Sequence, residues 1–250
     1  ADHEQHPDLL WAIRGAGANF GIVTAVEFEA FDTENVIFAV IELDATDTAG
    51  VLHKWGTYME SAPRELTSFV NLTPARPGQM QPVAQILAVY ANDDIPGAQA
   101  ALEPMLTWAP VLDQQAQIVP YSALLSPYDS LHSGQQSVRP RSGLMDRMTP
   151  DTAAALASLL ESRYVFFLQL RSLGGAVNDV SPEATSYVHR SQQLFVSAIG
   201  DRDRRYLDPL WEGLAPHLNG LYINFETDTR LDRVREAYPS PVFDRLQRLK

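Results

Sequence analysis

YVFFLQLRSLGGAVNDVSPEATSYVHR, Tyr164 to Arg190, is the stretch on which the fold turns. Its opening alternates with period two. Val165, Phe167, Gln169 and Arg171 fall on one face and Phe166, Leu168 and Leu170 on the other, which is the pattern of a strand over Tyr164 to Leu170. The wholly apolar face needs a layer of helices against it, whereas the face with Gln169 beside Arg171 meets something polar. The Gly174-Gly175 pair then stops the strand and opens a loop running to His189-Arg190. GLYINF, Gly220 to Phe225, reads as a shorter strand with Tyr222 and Asn224 on the same side.

Outward from this stretch the chain alternates strands and helices. Upstream, Ile22 to Phe31 alternates apolar and acidic residues and is expected to be a strand, as are Val36 to Leu43, Leu66 to Leu72 and Val83 to Tyr90. Val51, Leu52, Trp55 and Met59 recur at helical spacing within Thr48 to Met59. Pro96-Gly97 starts a second helix whose apolar stripe is Ala101, Leu102, Met105, Leu106 and Trp108. Gln117 to Tyr121 is a candidate short strand, and Ser126 to Arg141, rich in Ser, Gln, Gly and Pro, is expected to be loop. Thr149-Pro150-Asp151 caps an alanine-leucine helix over Asp151 to Ser162. Downstream come a strand over Ser191 to Ile199, a helix over Arg202 to Leu218, and a charged helical tail, Asp228 to Lys250, broken at Pro239 and Pro241. The implied fold class is α+β: a large antiparallel sheet with helices on one face.

Composition removes several function classes. With 45% apolar residues the 250-residue chain has material for a large core. The net charge of −12 argues against nucleic acid, which is held by neutralising phosphates. No apolar run is long enough to span a membrane. The N-terminus, ADHEQHPD, lacks the regions of a signal peptide, which favours the cytoplasm, and it begins without methionine, as a processed or excised segment would. The absence of cysteine excludes disulfides, thiolate metal sites and a cysteine nucleophile in this segment. The six histidines show no metal-ligand spacing. Neither a GxSxG elbow nor a GxxxxGK[ST] loop is present. The run Gly15-Ala16-Gly17-Ala18-Asn19-Phe20-Gly21 invites a dinucleotide-fold reading, but Phe20 stands where the third glycine belongs and a strand pattern follows.

Two pairs remain as candidate chemistry: Tyr222 with Asn224, and Gln169 with Arg171. A tyrosine acts as a general base where neighbouring positive charge or hydrogen bonds bring its pKa down. By pattern alone Tyr222 also reads as a core tyrosine with its hydroxyl satisfied.

Three ordered motifs resemble the FAD-linked oxidases of the berberine bridge enzyme type, within the vanillyl-alcohol oxidase and p-cresol methylhydroxylase superfamily. HPDLLWAIRGAGANFGIVTAVEFEAF is similar to the end of that family's flavin domain. GGAVNDVSPEATSYVHR resembles its substrate-domain motif, and GLYINFETD with AYPSPVFDRLQRLK its C-terminal module. The resemblance implies an oxidoreductase that passes a hydride from a substrate C–H to flavin N5, with O2 reoxidising the flavin and a small-molecule alcohol or related compound as substrate. It implies Tyr222 as the base, Gln169, Arg171 and Asn224 as substrate contacts, and Asn19, Phe20, Gly21 and Asn224 near FAD. Asn19 to Gly21 read equally as an ordinary tight turn, and His189-Arg190 is expected to anchor the strand start. The family's pyrophosphate loop and covalent flavin attachment have no counterpart here. Residues 1–35 are therefore expected to be the end of the flavin domain, 36–218 the substrate domain and 219–250 a module returning to the flavin domain. A binding module without redox function is the alternative; a flavin domain encoded upstream of Ala1 would discriminate against it.

Overall fold

The computed structural model describes residues 1–29, 32–75, 81–124, 139–200 and 204–250. Seven strands form its centre: β1 (Asn35–Asp44), β2 (Leu66–Thr73), β3 (Val83–Tyr90), β4 (Val111–Pro120), β5 (Arg139–Met145), β6 (Val165–Ser172) and β7 (Leu194–Gly200). They pair antiparallel throughout, in the order β4-β1-β3-β2-β6-β7-β5. The helices are α1 (Pro7–Ala16), α2 (Thr48–Met59), α3 (Ile95–Leu102), α4 (Pro150–Glu161), α5 (Arg204–Leu214), α6 (Leu231–Ala237) and α7 (Val242–Leu249). The expected α+β architecture is thus the one observed.

One sheet face is dry. Ile41, Leu72, Ile86, Leu168, Leu170 and Val196 lie buried beneath α2 and α4, with Val51, Leu52, Trp55 and Leu156 filling the space between. The Thr149 hydroxyl accepts from the Thr152 N–H and starts α4 as the sequence anticipates. Trp55 is fully buried, and its indole N–H donates to Ser68 Oγ at 3.1 Å, so its one polar atom is satisfied inside the core.

The opposite face is half open, and its register places like with like. Paired residues of an antiparallel ladder point the same way. Glu42, Gln85, Asn71, Gln169, Ser197 and Ser142 follow one another across β1, β3, β2, β6, β7 and β5 as a single polar row. The neighbouring row is Val40, Leu87, Phe69, Arg171, Phe195 and Leu144.

The C-terminal segment wraps the β5 edge and is held by buried charge. The Arg141 guanidinium, 3% exposed, binds Glu226 at 2.9 Å, Asp228 at 3.0 Å and Asp208 of α5. Arg233 adds a second bond to Glu226 at 3.0 Å and donates to the Ser142 carbonyl at 3.2 Å. A smaller hydrophobic cluster gathers Trp11, Ala12 and Ala16 of α1 with Leu221, Ala237, Tyr238 and Leu246. It ties the two ends of the chain together.

Four expectations need correction. Residues 21–29 form no strand: Ile22 is 94% and Phe28 82% exposed, because no described strand lies beside them to take their backbone hydrogen bonds. Phe31 lies outside the described residues. Tyr222 to Phe225 is not a strand either, since Ile223–Phe225 form a 3₁₀ turn after a brief exchange in which Leu144 N–H donates to Gly220 O and Asn219 N–H to Leu144 O. The segment expected as loop to Arg141 ends in β5 from Arg139, while residues 126–138 lie outside the described residues. At the start of β6 a bulge between Val165 and Phe167 inverts the faces, burying Val165 and exposing Phe166. The other strands and helices differ at their ends only; β4, read as Gln117 to Tyr121, runs from Val111.

Burial pushes Asp228 upward, but the Arg230 N–H and the Arg141 and Arg230 guanidiniums outweigh it and hold its pKa down to about 2. The unfolded carboxyl, ordinarily 3.8, takes up its proton first on acidification. The stability this group contributes is therefore whole above about pH 4 and lost as pH falls toward 2. Arg141→Ala, which takes one partner from each of three carboxylates and leaves Glu226 with Arg233 and Asp228 with Arg230, should lower unfolding free energy by about 3 kcal/mol in denaturant titration. Arg64→Ala, which removes an exposed pair with Asp179, should leave the midpoint where it was.

Candidate active site

Three segments that are distant in sequence meet over the β6–β7–β5 end of the open face. The first is the end of α1, where the helix breaks at Arg14 and Gly15, whose φ is 150°. A Cβ on Gly15 would lie 2.4 Å from the Tyr187 nitrogen and 2.5 Å from Ser186 Oγ, so only glycine lets α1 approach the second segment this closely. That second segment is the loop from Gly174 to Arg190. It is sewn to α1 by Trp11 Nε1 donating to Glu183 O (2.9 Å) and Ser186 Oγ donating to Ala12 O (2.8 Å). The third is Gly220 to Phe225, anchored by Ser142 Oγ donating to the Tyr222 carbonyl at 2.8 Å.

Between them lies a cavity of about 510 Å³, of the size that takes a small molecule. Tyr222, Asn224 and Arg171 line it, as do Tyr187, Phe195 and Arg190. The Asn224 amide donates to the Tyr222 hydroxyl oxygen at 2.7 Å. The two side chains expected to share a strand face do meet, but a 3₁₀ turn brings them together. The Tyr222 ring stands 6.0 Å from Tyr187, 6.2 Å from Phe195 and 5.9 Å from Phe225, centroid to centroid.

Arg171 follows from the register. Opposite Phe69 on one side and Phe195 on the other, its guanidinium carbon lies 4.9 and 5.5 Å from those rings and 4.8 Å from Phe225. Burial lowers its pKa, and the neighbouring Tyr222 partly offsets that. Gln169 does not line the cavity. Its Oε1 accepts from Arg171 Nε at 2.7 Å and its Nε2 donates to Asn71 Oδ1 at 2.7 Å, so it aims the arginine from behind. The bonds continue through Asn71 and Gln85 to Glu42, with Gln85 donating to Glu42 at 3.1 Å.

Asn19, Phe20 and Gly21 stand off the cavity. The Asn19 amide donates to Ala16 O at 3.3 Å, and Phe20 packs against the smaller cluster. The cavity is reached instead by Arg14, Gly15 and Gly17, just upstream. Arg190 also lines it, lying 4.8 Å from the Tyr187 ring and donating to Val177 O (3.0 Å) and Thr185 Oγ1 (2.9 Å). Its neighbour His189 is buried against Gly220, and burial pushes its pKa down while the backbone of Ala237 and Glu236 opposes the shift. Tyr187 is pushed up by burial, with Arg190 opposing. Period-two reading could find Arg171; the arrival of Arg14, Tyr187 and Arg190 depends on loops that carry no periodic signal. Among the described residues no group of three His, Asp or Glu could hold a metal, and no helix is long and apolar enough to cross a membrane.

No family model matches the sequence. The xylooligosaccharide oxidase of Thermothelomyces thermophilus is 28% identical over 292 residues, across 100% of this chain and 56% of that protein. The chitooligosaccharide oxidase of Gibberella zeae is 25% identical over 272 residues, across 94% and 53%. Among solved structures, BBE-like 1 of Physcomitrella patens superposes with a TM-score of 0.80 at 16% identity, over 98% of this chain and 57% of that one. The berberine bridge enzyme of Eschscholzia californica does so with a TM-score of 0.65 at 16% identity, over 86% and 51%. The shared fold is thereby shown, and the chain spans about half the length of the curated relatives it matches.

Gly15→Ala should unseat α1 from Ser186 and Tyr187. Thermal unfolding at a clearly lower temperature, with the Trp11 fluorescence changed, is the expected outcome; Gly17→Ala, whose Cβ meets nothing within 4 Å, is the control.

Proposed function

We propose that this chain, a homologue of the FAD-linked oxidases of the berberine bridge enzyme type, is the substrate-facing part of a flavoprotein oxidase whose base is Tyr222. The observation that carries this reading is Tyr222, which lines a cavity it shares with Tyr187 and Phe195 and whose hydroxyl is hydrogen-bonded to the Asn224 amide. The residues present fit a flat cofactor: Gly17 brings bare backbone to the cavity wall with open space where a Cβ would be, and Asn224 adds an amide. When bound, the flavin supplies the two-electron acceptor that takes a hydride from a substrate C–H and passes the electrons to O2.

The chain's own residues account for the rest. The Asn224 N–H fixes the Tyr222 oxygen as an acceptor and would stabilise negative charge on it, so Tyr222 as the phenolate is placed to take the proton of a substrate alcohol and become the neutral phenol. Tyr187 and Phe195 limit where a substrate ring lies and reduce the water around the reacting atoms, and Phe225 backs the Tyr222 ring from outside the cavity. Gln169 positions Arg171 rather than touching substrate itself. In this reading residues 1–35 and 219–250 belong to the flavin side and 36–218 to the substrate side; the smaller cluster joining α1 to α6 and α7, separate from the sheet core, supports that division. Asn224 keeps its assignment to both substrate and flavin, whereas Gly15 and Gly17 take over the cofactor-facing role expected of Asn19 to Gly21.

In the flavin-loaded full-length protein, Tyr222→Phe should slow anaerobic flavin reduction by an alcohol substrate by roughly 100-fold or more, the scale of general base catalysis. An unchanged rate would remove Tyr222 as the base. The 250-residue chain alone should purify without visible flavin absorption and without oxidase turnover; a stoichiometric flavin spectrum would contradict the division of labour.

A further inference from the structure

The cavity reverses the charge of the chain around it. The sequence carries 31 acidic against 19 basic side chains, yet the cavity wall holds three arginines, Arg14, Arg171 and Arg190, and no carboxylate. None of the three joins an ion pair among the described residues. Arg171 is fixed in orientation yet has its donors to spare. Its Nε is taken by Gln169, its planar group is bracketed by Phe69, Phe195 and Phe225, and its two terminal nitrogens have no acceptor among the described residues. A half-buried guanidinium without a counter-ion is less well solvated than one in open water, and aromatic faces offset only part of that. A fork of donors held in one orientation suits a carboxylate.

The remainder of the wall sets the body of the ligand. Leu144, Leu173, Val177 and Phe195 are apolar, and apart from the arginines only Asn224 and the two tyrosine hydroxyls offer polar side-chain groups. A neutral oligosaccharide, with a hydroxyl on most carbons, would leave many of them unpaired here. Arg171 and Tyr222 both stand against Phe195 and Phe225, so an acid at one and an alcohol at the other fall within one small molecule. We infer that the cavity selects an anionic substrate, an alcohol on an aromatic or otherwise apolar body that also bears a carboxylate, with Arg171 as the specificity-determining residue. The inference rests on the oxidase reading above for its reaction, and on the cavity alone for its charge.

The test uses two probes of the same shape, para-hydroxymethylbenzoate and para-hydroxymethylbenzamide, with the flavin-loaded full-length protein. The acid should reduce the flavin with a kcat/KM at least about tenfold above the amide, the scale of one charge-assisted pair. Arg171→Met should collapse that ratio toward one, chiefly through KM for the acid, and Arg171→Lys should restore part of it. Equal kcat/KM for acid and amide in the parent protein would overturn the inference. So would a ratio that survives Arg171→Met while both rates fall together, since Arg171 would then serve Tyr222 or the flavin. Binding to the dithionite-reduced protein separates the two claims, because it needs no turnover. If neither probe reduces the flavin, the oxidase reading fails, while tighter binding of the acid that is lost in Arg171→Met still upholds the site; equal affinities would sink it.

Discussion

The ion cluster around Arg141 is the constraint on which the site depends. Tyr222 and Asn224 reach the cavity only because the chain, after α5, folds back over the β5 edge. Within that return Glu226 and Asp228 bind Arg141, and Glu226 also binds Arg233. Both carboxylates are all but inaccessible to water, so each needs its partners: charges buried without them would cost several kcal/mol apiece. Burial thus ties the return to these partners, because any other path would leave the charges unpaired. It sets the 3₁₀ turn at Ile223–Phe225 just before the clamp and so places the tyrosine hydroxyl over β7.

A second constraint acts from the other end of the chain. Gly15 has no Cβ to collide with Ser186 and Tyr187, so α1 seats against the Gly174 to Arg190 loop, and Tyr238 Oη adds a bond to the Gly15 carbonyl at 3.0 Å. The cavity is therefore a junction of three segments on an independent sheet. The sheet itself contributes a flat polar row and, beside it, the row that holds Arg171 between two phenylalanines. Rigid strands aim these side chains, while the loops and termini decide what stands opposite them.

Much of this was legible in the order of residues, and the exceptions share a cause. β1, β2, β3 and β6 and helices α2 and α4 announce themselves because one face of each is buried, which leaves a period in the sequence, whereas β7, buried on both faces, reads as a continuous short run. The period fails where burial is decided by contacts from elsewhere. Residues 21–29 alternate like a strand but have no described neighbour to pair with. RPRSGLM alternates poorly because Arg141 is buried by its carboxylates rather than by apolar packing, and so β5 reads as loop. Of the residues that line the cavity, Arg171, Tyr222 and Asn224 are the ones that pattern and the resemblance to the berberine bridge enzyme type single out. Arg14, Tyr187 and Arg190 were not assigned to it, since their meeting is fixed by the Gly15 contact and loop closure. The motif resemblance and the whole-chain relatives point to the same group of oxidases, and at 28% identity the xylooligosaccharide oxidase does not carry its substrate over to this chain.

The central claim is that oxidation occurs in the cavity beneath Tyr222, between the sheet and a flavin brought by the rest of the protein. A crystal structure of the flavin-loaded full-length protein tests it most directly. The account predicts the flavin ring against the Tyr222–Asn224 wall, with the Tyr222 hydroxyl and Arg171 open to the space beside it. A ring lying elsewhere, with the cavity closed to it by α1 or by the Gly174 to Arg190 loop, would contradict the account.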